Sequence, residues 1–237
     1  MQRLDKIASR VKLQSILMTI NCIIIGTIII SADRIEDVVY DATGVSIDVS
    51  KPVIYLYPEE KEEIQVKLDL DYDLTCTYPE YNLTNGWDVI ADVDGTLTDK
   101  SGKEYNYLYW EAQTDKPFNF DTGFCIKGEE TVEFLEWALE KQGLNDREAN
   151  EFIVYWLPRM QENEYNVISF QKENYTESAR LDINPKPDTE IRVYMAYYGV
   201  NEYKEIEEQY LDTPIRNGFT VVEWGGTELN LDKQLME

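Results

Sequence analysis

From Ile64 to Leu70 apolar and polar residues alternate without a break: Ile64, Val66, Leu68 and Leu70 against Gln65, Lys67 and Asp69. Successive side chains of an extended chain point to opposite faces, so this segment predicts a half-buried β-strand. Val53–Tyr57, Asp88–Ala91, Tyr105–Trp110, Val167–Phe170, Ile191–Tyr197 and Phe219–Glu223 read the same way. Asn85-Gly86, Asp94-Gly95, Ser101-Gly102 and Asn217-Gly218 punctuate them with the turn chemistry that hairpins use.

Between Glu129 and Trp156 the spacing shifts to the helical period. A first helix is predicted near Glu129–Gln142, with acids in its first turn, Lys141 in its last and Gly143 as terminator. In the second, Asn145 is the N-cap, Glu148 sits at N3 and Leu144 is placed to staple onto Ala149. Ala149, Phe152, Ile153 and Trp156 recur at i, i+3, i+4 and i+7, Glu151 falls on the opposite face, and Pro158 follows as a stop. The predicted class is α+β: mostly antiparallel, sandwich-like β-structure with a two-helix hairpin inserted over 129–157.

Ahead of this lies a different pattern. No charge occurs between Lys12 and Asp33, and Ile16–Ile30 is apolar almost throughout. About 20 residues at about 1.5 Å each make roughly 30 Å of helix, the thickness of a hydrocarbon core. Arg3, Lys6, Arg10 and Lys12 precede it and an acidic body follows, so the positive-inside rule places the N-terminus in the cytoplasm and the body outside. Residues 1–32 are thus a basic head and signal segment, 33–50 a polar stalk, and 51–237 a single extracellular domain. Whether the segment stays as a single-pass anchor in the cell membrane or is cut near Ser31-Ala32, releasing a secreted domain, is open.

Charge narrows the functional classes. The chain has 22 Lys+Arg against 46 Asp+Glu; without the head, 18 bases face 45 acids, a net −27. Such a body repels nucleic acid and anionic membrane surfaces. There is no histidine, so Ser-His-Asp and Cys-His nucleophiles and His-bearing zinc sites are excluded. No metal or cofactor is implied. Cys76 and Cys125 both fall in strand-like segments (LTCTY, GFCIK) and could pair in an oxidising compartment or stay as buried thiols.

The segment Val89–Asp99, VIADVDGTLTD, resembles the first motif of haloacid-dehalogenase-type phosphatases, in which Asp92 would be the nucleophile and Asp94 the acid/base. That chemistry needs a parallel βα sheet, a later lysine and a further acidic pair for Mg²⁺; here strand-like sequence follows the motif instead of a helix, and no GDxxxD-like segment lies downstream. A hairpin through Asp94-Gly95 and Ser101-Gly102 accounts for the same residues, and a calcium-binding loop lacks its distal acids.

Two glutamates sit beside tryptophans, Trp110-Glu111 in NYLYWEA and Glu223-Trp224 in VVEWGG. Aromatic faces stack on sugar rings while carboxylates take hydroxyls, so Tyr107, Trp110, Glu111, Glu223 and Trp224 are the candidate ligand-binding set. The same two carboxylates, if close, would suit glycoside hydrolysis.

KPVIYLYPEE, YNYLYWEA, NEFIVYWLPRM, PDTEIRVYMA and RNGFTVVEWGGTEL together resemble a functionally uncharacterised family of exported proteins from Firmicutes, with distant fungal relatives. The resemblance covers nearly all of Lys51–Leu229 and implies an exported domain behind a signal or anchor. In that family the position of Asp92 is not reserved for aspartate. The expected function is binding of a cell-surface or extracellular ligand, a glycan being one candidate. A hydrolase using Glu111 and Glu223, and more distantly a phosphatase at Asp92/Asp94, are the alternatives.

Overall fold

The computed structural model describes residues 46–229. The apolar segment Ile16–Ile30 lies outside the described residues; among those described, no helix is long and apolar enough to cross a membrane.

The chain runs β1 (Ile47–Tyr57), β2 (Glu62–Leu70), β3 (Asp73–Tyr78), β4 (Trp87–Ala91), β5 (Leu97–Thr98), β6 (Glu104–Tyr105), β7 (Leu108–Thr114) and β8 (Thr122–Lys127). Helices α1 (Thr131–Lys141) and α2 (Asp146–Met160) follow, then β9 (Tyr165–Phe170), α3 (Lys172–Ser178), β10 (Ala179–Asn184), β11 (Thr189–Val200), β12 (Glu207–Glu208) and β13 (Thr220–Glu228). An eight-stranded sheet has the order β12-β8-β9-β11-β13-β1-β7-β3, and a five-stranded sheet the order β10-β2-β4-β5-β6. The protein is α+β and mostly β. The larger sheet is mixed, because β11 runs parallel to β13 and β12 parallel to β8.

Alternation along the strands splits the core into two layers. On one face of the large sheet, Val53 and Tyr55 of β1, Val193, Met195 and Tyr197 of β11 and Val222 and Trp224 of β13 cluster with the helical hairpin. The hairpin contributes Leu135, Ala138 and Leu139 from α1 and Phe152, Trp156 and Met160 from α2. Side chains one residue out of phase, Ile54, Leu56, Leu108, Trp110, Tyr194 and Val221, are equally buried and take the other face. The five-stranded sheet has a matching buried face in Ile64, Val66, Val89, Ala91 and Leu97, with Glu63, Gln65 and Asp88 turned outward, so the two sheets meet through these faces.

Local sequence explains the hairpin. Asn145 accepts from the Glu148 amide at 3.0 Å while the Glu148 carboxylate accepts from the Asn145 amide at 2.8 Å, a reciprocal box that satisfies two orphan donors. Helix α1 ends with Gly143 at φ +86°, its amide on Glu140 and the Leu144 amide on Leu139, the 5→2 and 6→1 bonds of a Schellman stop. Pro158 does not stop α2 ahead of itself: the helix runs two residues past it to Met160. The acceptor it leaves free is the carbonyl of Val154, an exposed residue.

Three expectations shift. Strand β1 begins at Ile47, inside the segment read as stalk, and Val49 is fully buried. Tyr105–Trp110 is not one strand: β6 pairs with β5 in the small sheet and β7 with β1 in the large one, so the chain changes sheets at Asn106-Tyr107. Cys76 and Cys125 are free thiols, on strands six places apart in the sheet order. At about 4.8 Å per strand they stand roughly 29 Å apart, far beyond the reach of a disulfide.

Candidate functional site

The five residues expected to form one site are divided by the sheet. Trp110, Glu223 and Trp224 are all 0% exposed. Trp224 belongs to the helix-side cluster, while Trp110 and Glu223 lie in the layer between the sheets. Trp110 Nε1 donates to Glu223 Oε1 at 3.1 Å, and Arg192 Nε and Nη2 donate to Glu223 Oε2 at 2.8 and 2.5 Å. The Arg192 guanidinium lies 5.0 Å from the ring of Tyr175, which stacks on Tyr194 at 4.1 Å. A carboxylate closed in on both oxygens is a structural ion pair. Glu111, one residue from Trp110, points to the opposite face of β7. Glu111 and Glu223 therefore do not converge, and the acid pair that a hydrolase would need is not formed by them.

Tyr107 and Glu111 belong to a groove that the other three residues do not reach. The hairpin covers the centre of the large sheet and leaves its β7–β3 margin uncovered, where Tyr78 pairs with Tyr109 and Cys76 with Glu111 across the two strands. From the helix side Tyr155, Glu151 and Arg159 of α2 face this margin: Tyr155 lies against Lys51, and Glu151 accepts from the Tyr55 hydroxyl at 3.0 Å. Toward the sheet crossover the groove opens into a cavity of ≈ 470 Å³ lined by Tyr78, Thr96, Glu104, Tyr105, Asn106 and Tyr107. Arg147 closes that end by donating to Asn106 at 2.8 Å.

Lys51 is the residue at the centre. It has φ +60°, the only non-glycine residue at positive φ among the described residues. The cause is the Lys51-Pro52 dipeptide in a central strand. Proline has no amide hydrogen and is admitted there only at a bulge, and the pairing of β1 slips on both sides, between Val49 and Val53 toward β7 and between Ser50 and Val53 toward β13. Gly225 opposite leaves room for the Pro52 ring, which a Cβ would approach to 3.1 Å. The bulge turns the Lys51 ammonium into a cage of tyrosine rings, 5.0 Å from Tyr107, 5.1 Å from Tyr109 and 6.0 Å from Tyr155. Burial, and then the carboxylate of Glu111, raise the Tyr109 phenol well above its ordinary pKa. Burial raises Tyr155 as well, with Arg159 opposing and Glu111 adding to the shift.

Sequence reasoning missed Lys51, Tyr78, Tyr109 and Tyr155. The signal available was the Lys-Pro dipeptide interrupting an otherwise apolar alternating strand, which marks a bulge.

The Asp92–Asp99 segment is a pair of tight turns. Strand β4 runs antiparallel to both its neighbours, β2 and β5. Asp92 Oδ1 accepts from the Val93 amide and Asp94 Oδ1 from the Thr96 amide, both at 2.9 Å, and Gly95 takes φ +86°. Asp92 pairs with Lys61 at 3.1 Å in solvent. The parallel strand end that phosphoryl transfer would require is not what carries these aspartates. Among the described residues no cluster of three or more acids and thiols is arranged to hold a metal ion.

These features define a mostly-β protein of two sheets with a tyrosine-lined margin. A Butyrivibrio fibrisolvens protein named as an uncharacterized protein in the bglA 3′ region is 48% identical over 66 residues, 27% of this chain and 68% of that protein. The chain belongs to the family of that Firmicutes protein. No family model and no solved structure matches it.

Proposed function

We propose that this protein is an exported binding protein that takes a carbohydrate in the groove between α2 and the β7–β3 margin. The observation that carries the reading is the tyrosine cage around a strained lysine, continuous through Tyr107 with the cavity lined by Tyr78 and Tyr105. Flat rings offer stacking surfaces to pyranose faces, while Asn106, Glu104, Glu111 and Lys51 supply donors and acceptors for hydroxyls. Backbone strain held at a bulge beside such a surface is the pattern of a pre-organised site. A glycan array probed with the protein tests the reading: retention of saccharides that Tyr107→Ala and Tyr109→Ala abolish supports it, and an array without a specific ligand overturns it.

The export half of the proposal rests on the charge asymmetry around Ile16–Ile30. Protease added to intact cells is expected to degrade the body and spare the Met1–Lys12 head if the segment is an anchor, or to find the body already in the medium if it is cut. Full protection until lysis would overturn export.

A further inference from the structure

The cations of the groove narrow the class of saccharide, an inference that rests on the binding reading above. Lys103, Lys51 and Arg159 follow one another along it, and among the described residues none has a carboxylate within salt-bridge distance, although the body carries 45 acids to 18 bases. Each is held by tyrosine instead. The Lys103 ammonium lies 5.1 and 5.2 Å from the rings of Tyr78 and Tyr105 and donates to the Tyr78 hydroxyl at 2.7 Å. Lys51 donates to the Tyr107 hydroxyl at 3.3 Å, and the Arg159 guanidinium lies 4.2 Å above Tyr155. An ammonium has three donors and a guanidinium five, so most of the hydrogen-bonding capacity of the three stays unspent while their positions are fixed by ring faces and, at Lys51, by backbone strain.

The acids near this row, Glu151, Glu111 and Glu104 with Asp99 near Lys103 and Glu228 near Tyr155, form no ion pair with it among the described residues. Glu151 is engaged by the Tyr55 hydroxyl and Arg147, and Glu111 lies beside the Tyr109 phenol. Glu104 lines the cavity wall.

We propose that the ligand is a saccharide bearing a ring carboxylate, a uronic-acid residue set in an otherwise neutral chain. The tyrosines stack on the sugar faces and the carboxylate takes the free donors of Lys51, with Lys103 or Arg159 beside it. The sparse charge follows from the rest of the body: a dense polyanion meets the field of a net −27, whereas one carboxylate within a Debye length of about 8 Å answers mainly to the cations it touches.

The test uses the full-length chain in detergent and matched oligosaccharides. One member of each pair ends in glucuronic or galacturonic acid, and its carboxyl-reduced twin ends in glucose or galactose. Calorimetry is expected to show at least tenfold tighter binding of the acidic member, a preference that weakens with added salt. Lys51→Gln is expected to lower that preference at least fivefold and Arg159→Gln, at an exposed position of α2, at least twofold. Equal affinity for both members of every pair would overturn the carboxylate inference and leave carbohydrate binding standing. No binding of any member would overturn both. Preference for the acidic member that survives both substitutions would place the carboxylate elsewhere and sink this assignment.

Discussion

Trp110 Nε1 reaches Glu223 Oε1 at 3.1 Å across an intervening strand, since β1 lies between β7 and β13. On β1 it is Ile54 that stands opposite Glu223 on one side and Leu108 on the other, so the bond passes over an apolar residue. With Arg192 on the far side of Glu223, one buried carboxylate ties together β11, β13 and β7.

Removing one partner strands the others. Arg192→Met is expected to cost about 3–5 kcal/mol in chemical denaturation, because it leaves the Glu223 carboxylate at 0% exposure without its cation. The double substitution Arg192→Met with Glu223→Leu is expected to cost less than the single one, leaving only the Trp110 donor unmet at about 1–3 kcal/mol. A double variant less stable than Arg192→Met would contradict this.

At Lys51 stability and binding are expected to part company. Glycine accepts φ +60° without strain, so Lys51→Gly should be about 1 kcal/mol more stable than Lys51→Ala. Both should lose saccharide binding, since both empty the tyrosine cage. Equal melting of the two variants would show that the bulge is not strained.

The turn aspartate Asp99 sets an acid dependence. Its carboxylate accepts from the Ser101 hydroxyl at 2.6 Å, the Tyr105 hydroxyl at 2.8 Å and the Lys103 amide at 3.0 Å, which together hold its pKa below the usual carboxylate range. A pKa depressed in the folded state contributes stability above the unfolded value, about 3.9, and loses it as pH falls toward the folded value. Asp99→Asn should therefore flatten the acid limb of the stability profile below about pH 4. A limb of unchanged slope would rule Asp99 out as its source.

Asp92→Asn is expected to change stability by under about 0.5 kcal/mol, because its partner Lys61 and its own carboxylate are both solvent-exposed. Mg²⁺-dependent phosphatase activity abolished by this substitution would overturn the reading of the segment as a turn.

Trp156→Ala should cost about 3–5 kcal/mol, since the ring is 1% exposed and lies against Phe152, Tyr197 and the bare face of Gly226. Glu151→Ala, on the face the helical wheel assigns to solvent, is not silent: it frees the buried Tyr55 hydroxyl and should cost about 1 kcal/mol. Thermal melts of the two variants check both values.

Much of this architecture is legible in the sequence. The caps at Asn145 and Gly143, the stripe through Phe152 and Trp156 and the alternation of β2 are local signals, and the structure carries each of them. Helix α3, strand β10 and the change of sheets at Asn106-Tyr107 were not legible. Seven-residue α3 is too short for a periodic signal, and a strand that crosses between sheets keeps its alternation while its neighbours change. Of the candidate site, the chemistry was visible but not the side of the sheet. Trp110 and Glu111 are adjacent in sequence and so belong to opposite faces, and only the tertiary layers decide which face is wet.

The order of the large sheet has a temporal consequence. Its central strand, β13, is the last of the described strands to be made, and it fills the gap between β11 and β1, whose residues are separated by more than half of the chain. Until residue 228 has emerged, the two halves of the sheet have unpaired edges facing each other and no common middle. The two halves therefore cannot join into one sheet before the last of the described strands is made, and the edges of β11 and β1 stay without their shared partner until then.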